Sequence, residues 1–105
     1  DMLIIRGVNV FPSQIEELIL KMPALAPQYQ LVVARDGHLD TLEVLGELRD
    51  ASMSPDAVEA LSRELQPCIK TYVGVTTRVT LMAPQGIERT LTGKARRVVD
   101  RRPRP

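Results

Sequence analysis

The order of apolar patterns along this 105-residue chain predicts an α+β fold of the ferredoxin-like, split βαβ type. Two stretches carry apolar residues at helical spacing, and four carry strand-like runs, in the order β-α-β-β-α-β. That order predicts an antiparallel sheet with both helices on one face. A lysine-bearing turn and a short helix are expected after the last strand. The length suits a single domain, and 44% hydrophobic residues can supply its core.

The chain begins with a predicted strand and helix. Residues 2–5 and 8–11 are apolar β runs that Gly7 interrupts, because glycine allows positive φ or a close backbone approach. Pro12 suits the first turn of the helix that follows, and Pro23 ends it. The apolar stripe of this helix consists of Ile15, Leu18, Ile19 and Met22.

The centre of the chain is predicted to be a β-hairpin. Residues 29–35 form an apolar strand, and the Asp-Gly pair at 36–37 is typical of a hairpin turn. His38, the only histidine, is expected to be solvated in this turn. Residues 39–49 then alternate, with Leu45 as an exception on the polar face. The apolar face has Leu42, Val44, Gly46 and Leu48, and the polar face has Thr41, Glu43, Glu47 and Arg49.

A second helix is predicted from Ser54, a typical N-cap, to Gly74, which ends it. Pro67 lies inside this helix, so a kink or a break into two pieces is expected. Cys68 is placed on the apolar stripe and is expected to be a structural, unreactive residue. Residues 75–82 alternate as the last strand. The stripe runs through Val58, Leu61, Leu65, Cys68 or Ile69, and Tyr72.

Composition argues against several classes of protein. The net charge is +1, so the whole molecule is not an electrostatic partner for nucleic acid. RNA-recognition domains share this element order, but they stack bases on aromatic side chains, and aromatics make up only 3% here. No stretch approaches the ~20 apolar residues of a membrane helix, and no signal peptide is evident. A single cysteine excludes an intrachain disulfide and a multi-cysteine metal site, which fits the cytoplasm.

The segment around Lys94 has the local chemistry of an anion contact. The Thr-Gly pair at 92–93 predicts a turn, and Lys94 stands at or just before a short helix over 96–101. A lysine on a turn, beside free backbone N–H groups, suits a phosphate or a carboxylate. The segment is not a P-loop, because Glu88 and Ala95 occupy its glycine and Ser or Thr positions. The alternative is a surface lysine in a basic tail, which includes Arg96, Arg97, Arg101, Arg102 and Arg104.

Two motifs stand at the two ends of the chain. Residues 90–94 have the sequence Thr-Leu-Thr-Gly-Lys, and residues 1–17 begin Asp-Met-Leu-Ile-Ile-Arg-Gly-Val-Asn-Val-Phe-Pro. The first resembles the C-terminal Thr-x-Ser-Gly-Lys motif of acyl-adenylate-forming enzymes, the superfamily of acyl-CoA ligases and luciferases. The second resembles the hinge-side motif of the same superfamily. Residues 6–12 and 93–100 are most similar to the phenylacetate–coenzyme A ligase family.

This resemblance implies that residues 1–105 are the C-terminal lid domain of a longer aryl-acid–CoA ligase, whose large N-terminal domain is absent. The family joins a carboxylate to ATP to form acyl-AMP, and coenzyme A then displaces AMP to give the thioester. ATP, coenzyme A and Mg²⁺ are expected to act in the full-length enzyme. The isolated chain is expected to bind none of them and to be inactive. The implied partners are the N-terminal domain and an aryl carboxylic acid. Neither a nucleic acid nor a membrane is expected as a partner, and the expected location is the cytoplasm.

The resemblance also implies roles for individual residues. Lys94 would be the catalytic residue, bridging carboxylate and phosphate oxygens in the first step. Rotation of the lid would then bring the Arg6-Gly7-Val8 turn to the active site, where Gly7 lets coenzyme A pass close to the backbone. The hinge lies at Asp1 or the residue before it. The implied site residues are Lys94 as catalyst, Arg6, Gly7 and Val8 on the coenzyme A side, and Thr92 and Gly93 in the turn presenting Lys94, with no metal ligand.

The alternative function is a free-standing ferredoxin-like domain that binds a small ligand or regulates a partner. An RNA-binding module is a further, less favoured alternative. The intact lysine motif argues against the regulatory domain, and the low aromatic content argues against the RNA-binding module.

Overall fold

The computed structural model describes residues 2–87 and 98–102, and within them the chain forms two helices and six strands in two sheets. The predicted α+β class is confirmed. Residue 1, residues 88–97 and residues 103–105 lie outside the described part. The elements in chain order are β1 (Leu3–Ile5), β2 (Val8–Val10), α1 (Pro12–Leu20), β3 (Leu25–Asp36), β4 (Leu39–Leu48), α2 (Pro55–Val73), β5 (Arg78–Met82) and β6 (Val98–Asp100).

Four strands form the main sheet, in the order β5-β4-β3-β6. Its centre is the predicted antiparallel hairpin of β3 and β4. The two outer pairs, β4 with β5 and β3 with β6, are parallel. The prediction of a wholly antiparallel, ferredoxin-like sheet is therefore wrong. The physical reason is the crossover: α2 returns the chain to the end of the sheet where β4 begins, so β5 runs in the same direction as β4.

Residues 98–100 form the edge strand β6, whereas the sequence predicted a short helix over 96–101. They pair in parallel with residues 31–33 of β3. The edge of β3 offers backbone N–H and C=O groups that a strand satisfies and a helix does not. Val98 and Val99 are β-branched and suit the pleated surface. The prediction of a helix is thus wrong at these positions.

Residues 3–10 form a separate hairpin instead of the first strand of the main sheet. Among the described strands, β1 and β2 pair only with each other, with Leu3 opposite Val10. The two turn residues Arg6 and Gly7 have φ values of 51° and 78°. Positive φ at both central residues is the requirement of a type I′ turn. Glycine meets it without steric cost, which explains the break in the apolar run.

Both helices pack against one face of the main sheet, as predicted. α1 contacts β3, α2 contacts β5, and the helices contact each other. The Ser54 hydroxyl accepts a hydrogen bond from the Ala57 amide at 3.2 Å and caps α2, which ends at Gly74 with φ of 97°. The buried cluster comprises Ile5, Val10, Ile15, Ile19, Leu25, Tyr29, Leu31, Val33, Leu42, Val44, Leu48, Leu65, Ile69, Val73 and Val75.

α2 is one helix of 19 residues although Pro67 lies inside it, so the predicted break into two pieces does not occur. Pro67 is exposed, and the Arg63 carbonyl that it leaves without a helical donor is on an exposed residue, where water can hydrate it. Leu65 and Ile69 are fully buried on either side and hold both halves against the core. Cys68 is exposed, so its predicted place on the apolar stripe is wrong: Ile69 occupies the buried position one turn after Leu65.

We expect Cys68 in the native chain to react with an aromatic disulfide at close to the rate of a free cysteine, because its thiol meets the reagent directly. In a Cys68→Ser background, Ile69→Cys supplies a matched buried thiol that should react only after local opening. Stopped-flow labelling of both variants under native conditions measures the difference. Slow labelling of Cys68, at the rate of the buried thiol, would contradict its exposed position.

Candidate functional site

The chain enters the Lys94 motif at a buried contact with Glu47 on β4. The Glu47 carboxylate accepts a hydrogen bond from the Ile87 amide at 3.3 Å, and the two residues are only 2% and 3% exposed. Just before Ile87, the Gly86 amide donates to the Ala83 carbonyl at 2.9 Å and closes a turn. Burial of a carboxylate is costly unless it is hydrogen-bonded. The contact with Ile87 therefore gives the entry to the motif a defined place on the sheet.

The chain leaves the motif at Val98, the first residue of β6. Val98 lies beside Leu31, and the Arg101 amide donates to the Val33 carbonyl at 2.6 Å. Because β6 is parallel to β3, the chain comes into it from the end of the sheet where β3 begins. Glu47 lies at that same end, where β4 finishes. Val98 is level with Leu31 and hence with Val44, so the exit from residues 88–97 lies three residues of strand from the level of Glu47, nearer the middle of the sheet.

The Arg6-Gly7 turn lies at the other end of the main sheet. Arg6 Nη2 donates to the carbonyl of Thr76 at 2.6 Å, and Thr76 precedes β5. A side chain added at Gly7 would meet no described atom within 4 Å of its Cβ, so the backbone faces open space there. Arg6 and Gly7 are exposed in this turn, whereas Val8, the first residue of β2, is partly buried against the core.

The length of β4 separates these two places. β5 runs beside β4 with Arg78 opposite Glu43 and Met82 opposite Glu47, so Thr76 lies near the level of Thr41. From there to Glu47 is six residues of strand, or roughly 20 Å at about 3.3 Å per residue. A reacting group held outside this domain can therefore meet only one of the two ends at a time.

Arg102 lies in an ion-pair network beside the hairpin, and not in the solvated tail that the sequence predicted. Its guanidinium contacts Asp100 at 2.8 Å and Asp40 at 3.0 Å, and its Nη1 donates to the Ile4 carbonyl at 3.1 Å. Arg35 contacts Asp40 at 2.8 Å. The hydrogen bond from Arg35, aided by Arg102, lowers the pKa of Asp40. Asp100 and then Asp40 raise the pKa of Arg102, so both partners stay charged.

A cleft of ≈ 650 Å³ opens beside Arg6, near the start of β5. Arg78 and Arg101 also line it, and guanidinium groups are suited to phosphate and carboxylate. Asp36 and Glu43 lie in the same lining and bring opposite charge. The mixed charge means that the cleft does not by itself define an anion site.

The other predicted site residues, Asp1, Thr92, Gly93 and Lys94, lie outside the described residues. Within residues 2–87 and 98–102, no group of three or more His, Cys, Asp or Glu side chains is placed to hold a metal ion. No helix of that part is both long enough and apolar enough to cross a membrane.

Comparison with known proteins gives consistent matches over almost the whole chain. Residues 7–102 match the family described as AMP-binding enzyme C-terminal domain. The chain is 56% identical to a phenylacetate–coenzyme A ligase of Aromatoleum evansii, covering 99% of this chain and 24% of that protein. It is 48% identical to the phenylacetate–coenzyme A ligase of Escherichia coli strain K12, covering 97% of this chain and 24% of that protein. The chain thus spans about a quarter of the length of these relatives.

Solved structures agree with these matches. A domain of phenylacetate–coenzyme A ligase from Bacteroides vulgatus superposes with a TM-score of 0.88 at 31% identity, covering 98% of this chain and 94% of that one. A 2-hydroxyisobutyryl-CoA ligase in complex with 2-HIB-AMP and CoA superposes with a TM-score of 0.85 at 34% identity, covering 97% of this chain and 21% of that one. The ligase interpretation of the sequence fits these findings better than a regulatory or RNA-binding domain. The chain belongs to the AMP-binding enzyme C-terminal domain family, in which it is a C-terminal domain related to those of phenylacetate–coenzyme A ligases.

Proposed function

We propose that this chain is the mobile C-terminal domain of an ATP-dependent aryl-acid–CoA ligase that acts on phenylacetate or a similar acid. The observation that carries the proposal is the separation, along the main sheet, of the Ile87–Glu47 contact that precedes residues 88–97 from the Arg6-Gly7 turn. A lid that serves two chemical steps in turn needs two working faces of this kind. The names of the relatives, phenylacetate–coenzyme A ligases, support the acid and the reaction.

In the first step, a carboxylate oxygen of the acid attacks the α-phosphorus of ATP, and pyrophosphate leaves. Two anions must meet, so a cation fixed between them offsets their repulsion as charge moves. We assign this role to Lys94, presented by Thr92 and Gly93. The buried contact between Glu47 and Ile87 supports this assignment, because it anchors the chain just before the motif.

In the second step, the thiolate sulfur of coenzyme A attacks the acyl carbon, the bond from that carbon to the phosphate oxygen breaks, and AMP leaves with the electron pair of that bond. We assign the Arg6-Gly7-Val8 turn to this step, reached by rotation about a hinge at Asp1 or the residue before it. The open space at Gly7 supports a close approach of the coenzyme A arm to the backbone. A related 2-hydroxyisobutyryl-CoA ligase has been solved in a thioesterification state and in a postadenylation state, and this chain superposes on both.

The remaining parts of the enzyme belong to a preceding domain of the same chain. We place the acid pocket, the ATP site and Mg²⁺ there, with Mg²⁺ supplying charge neutralisation at the phosphates. We propose the cytoplasm as the location, where ATP and coenzyme A are both available.

The isolated 105-residue chain should be folded but inactive. It carries a buried core of its own, whereas the pockets for ATP and the acid are assigned to the preceding domain. Circular dichroism and a coupled assay for acyl-AMP and acyl-CoA on the purified chain measure both expectations. Formation of either product by this chain alone would contradict the proposal that it is one domain of a longer ligase.

In the full-length enzyme, Lys94→Ala should slow adenylation by ~10²–10³, the usual cost of losing one preorganised charge contact. Thioester formation from supplied acyl-AMP should persist, because Lys94 is then away from the reacting atoms. Pyrophosphate release and thioester formation are measured separately. Lys21→Ala, at an exposed lysine beyond α1, is the matched control and should leave both rates unchanged. An equal fall in the rates of both steps in a folded Lys94→Ala enzyme would contradict the proposal that the domain has two working faces.

Gly7→Leu should slow the thioester step and spare adenylation, because its side chain would occupy the space assigned to coenzyme A. Gly37→Leu in the β3–β4 turn is the matched control: its φ of +64° resembles the +78° of Gly7, and both positions are open. Both variants place a bulky side chain at positive φ and carry the resulting strain. Their melting temperatures should therefore fall by similar amounts. A similar thioester defect in Gly37→Leu would mean that strain, and not the place of Gly7, causes the loss.

A further inference from the structure

The hairpin that carries Gly7 is joined to the domain without a backbone ladder to the main sheet, among the described strands. Ile5 and Val10 are fully buried and give the hairpin an apolar base. Ile4 differs, because its side chain is 53% exposed and apolar packing does not hold it. Its carbonyl accepts a hydrogen bond from Arg102 Nη1 at 3.1 Å, from 98 positions further along the chain. Arg102 therefore supplies a polar contact where packing is absent.

Two carboxylates hold the Arg102 guanidinium in place. Asp100 contacts its Nη2 at 2.8 Å and Asp40 contacts its Nη1 at 3.0 Å, and the Arg102 side chain is 21% exposed. A planar guanidinium between two carboxylates has few alternative orientations, so the direction of its N–H groups is set before it meets Ile4. Asp40 lies on β4, so the network ties the hairpin to a central strand of the sheet.

The place of Arg102 along the chain adds a second connection. Arg102 follows β6, the strand through which the chain leaves the Lys94 motif. One side chain therefore links the exit from that motif to the strand that leads into the Arg6-Gly7 turn. Without the contact from Arg102, β1 is free to tilt about its apolar base and to displace the Arg6-Gly7 turn. A displacement of about 1 Å at a reacting centre can slow a reaction roughly 10²-fold.

We propose that Arg102 is a positioning residue that holds the Arg6-Gly7 turn in the orientation required for thioester formation. The half-reaction it serves rests on the proposed function of the domain. Arg6 holds the turn itself through the Thr76 carbonyl, and Arg102 holds β1 on the other side of the hairpin through Ile4.

The test compares Arg102→Met with Arg35→Met in the full-length enzyme. Both changes remove one arginine from Asp40, but only Arg102 also reaches the hairpin. Arg102→Met should slow thioester formation from supplied acyl-AMP by roughly 10- to 100-fold and leave pyrophosphate release unchanged. Arg35→Met should leave both rates unchanged. Arg102→Lys should recover part of the loss, because an ammonium can reach one acceptor but lacks the planar fork.

Amide hydrogen exchange over residues 3–10 of the same proteins separates this inference from the proposed function. Exchange should be faster in Arg102→Met and unchanged in Arg35→Met, whatever reaction the enzyme performs. Absence of ligase activity in the parent enzyme would overturn the proposed function, while the exchange result still decides whether Arg102 holds the hairpin. Unchanged exchange in Arg102→Met, equal loss of both half-reactions, or the same thioester defect in Arg35→Met overturns the inference. Should Arg102→Met not fold, the same criteria apply to Arg102→Lys.

Discussion

The antiparallel pairing of β3 with β4 is the interaction on which the rest of the domain depends. Leu31 lies opposite Val44 and Val33 opposite Leu42, and these four side chains are buried on the face that receives both helices. The outer edges of the same pair accept β5 and β6. A hairpin between neighbouring stretches of chain can form early, because closing a short loop costs little entropy. The helices and the edge strands then add to a surface that already exists.

The rigidity of this sheet has a consequence for how the domain can work. The entry to the Lys94 motif is attached beside Glu47, and the Arg6-Gly7 turn is attached near the start of β5. A packed sheet does not bend to bring its two ends together. Any reaction that uses both must therefore move the whole domain, which supports the proposed lid that turns as one body about a hinge.

The two irregular segments share one means of attachment. These are the hairpin of residues 3–10 and residues 83–87, which precede the Lys94 motif. Neither pairs with the main sheet among the described strands, and each is held by a charged side chain bonded to a backbone group far away in sequence. Glu47 accepts from the Ile87 amide, Arg6 donates to the Thr76 carbonyl, and Arg102 donates to the Ile4 carbonyl. Hydrogen bonds with a charged partner are stronger than neutral ones. They orient a segment without the many paired residues that a strand needs.

Local chemistry determined much of this protein from sequence alone: the helix beginning at Ser54 and ending at Gly74, the break at Gly7, the β3–β4 hairpin, and the family motifs. These features depend on contacts between residues a few positions apart, or on a short pattern that resembles a family motif. Tertiary structure alone decided the parallel edges of the sheet, the strand at Val98, and the exposure of Cys68. It also decided the burial of Glu47, for which the apolar Leu45 on the polar face was the one local sign, and the role of Arg102. For the edge strands, Glu47 and Arg102, the deciding partner lies far away along the chain, up to 98 positions, and no local pattern encodes it.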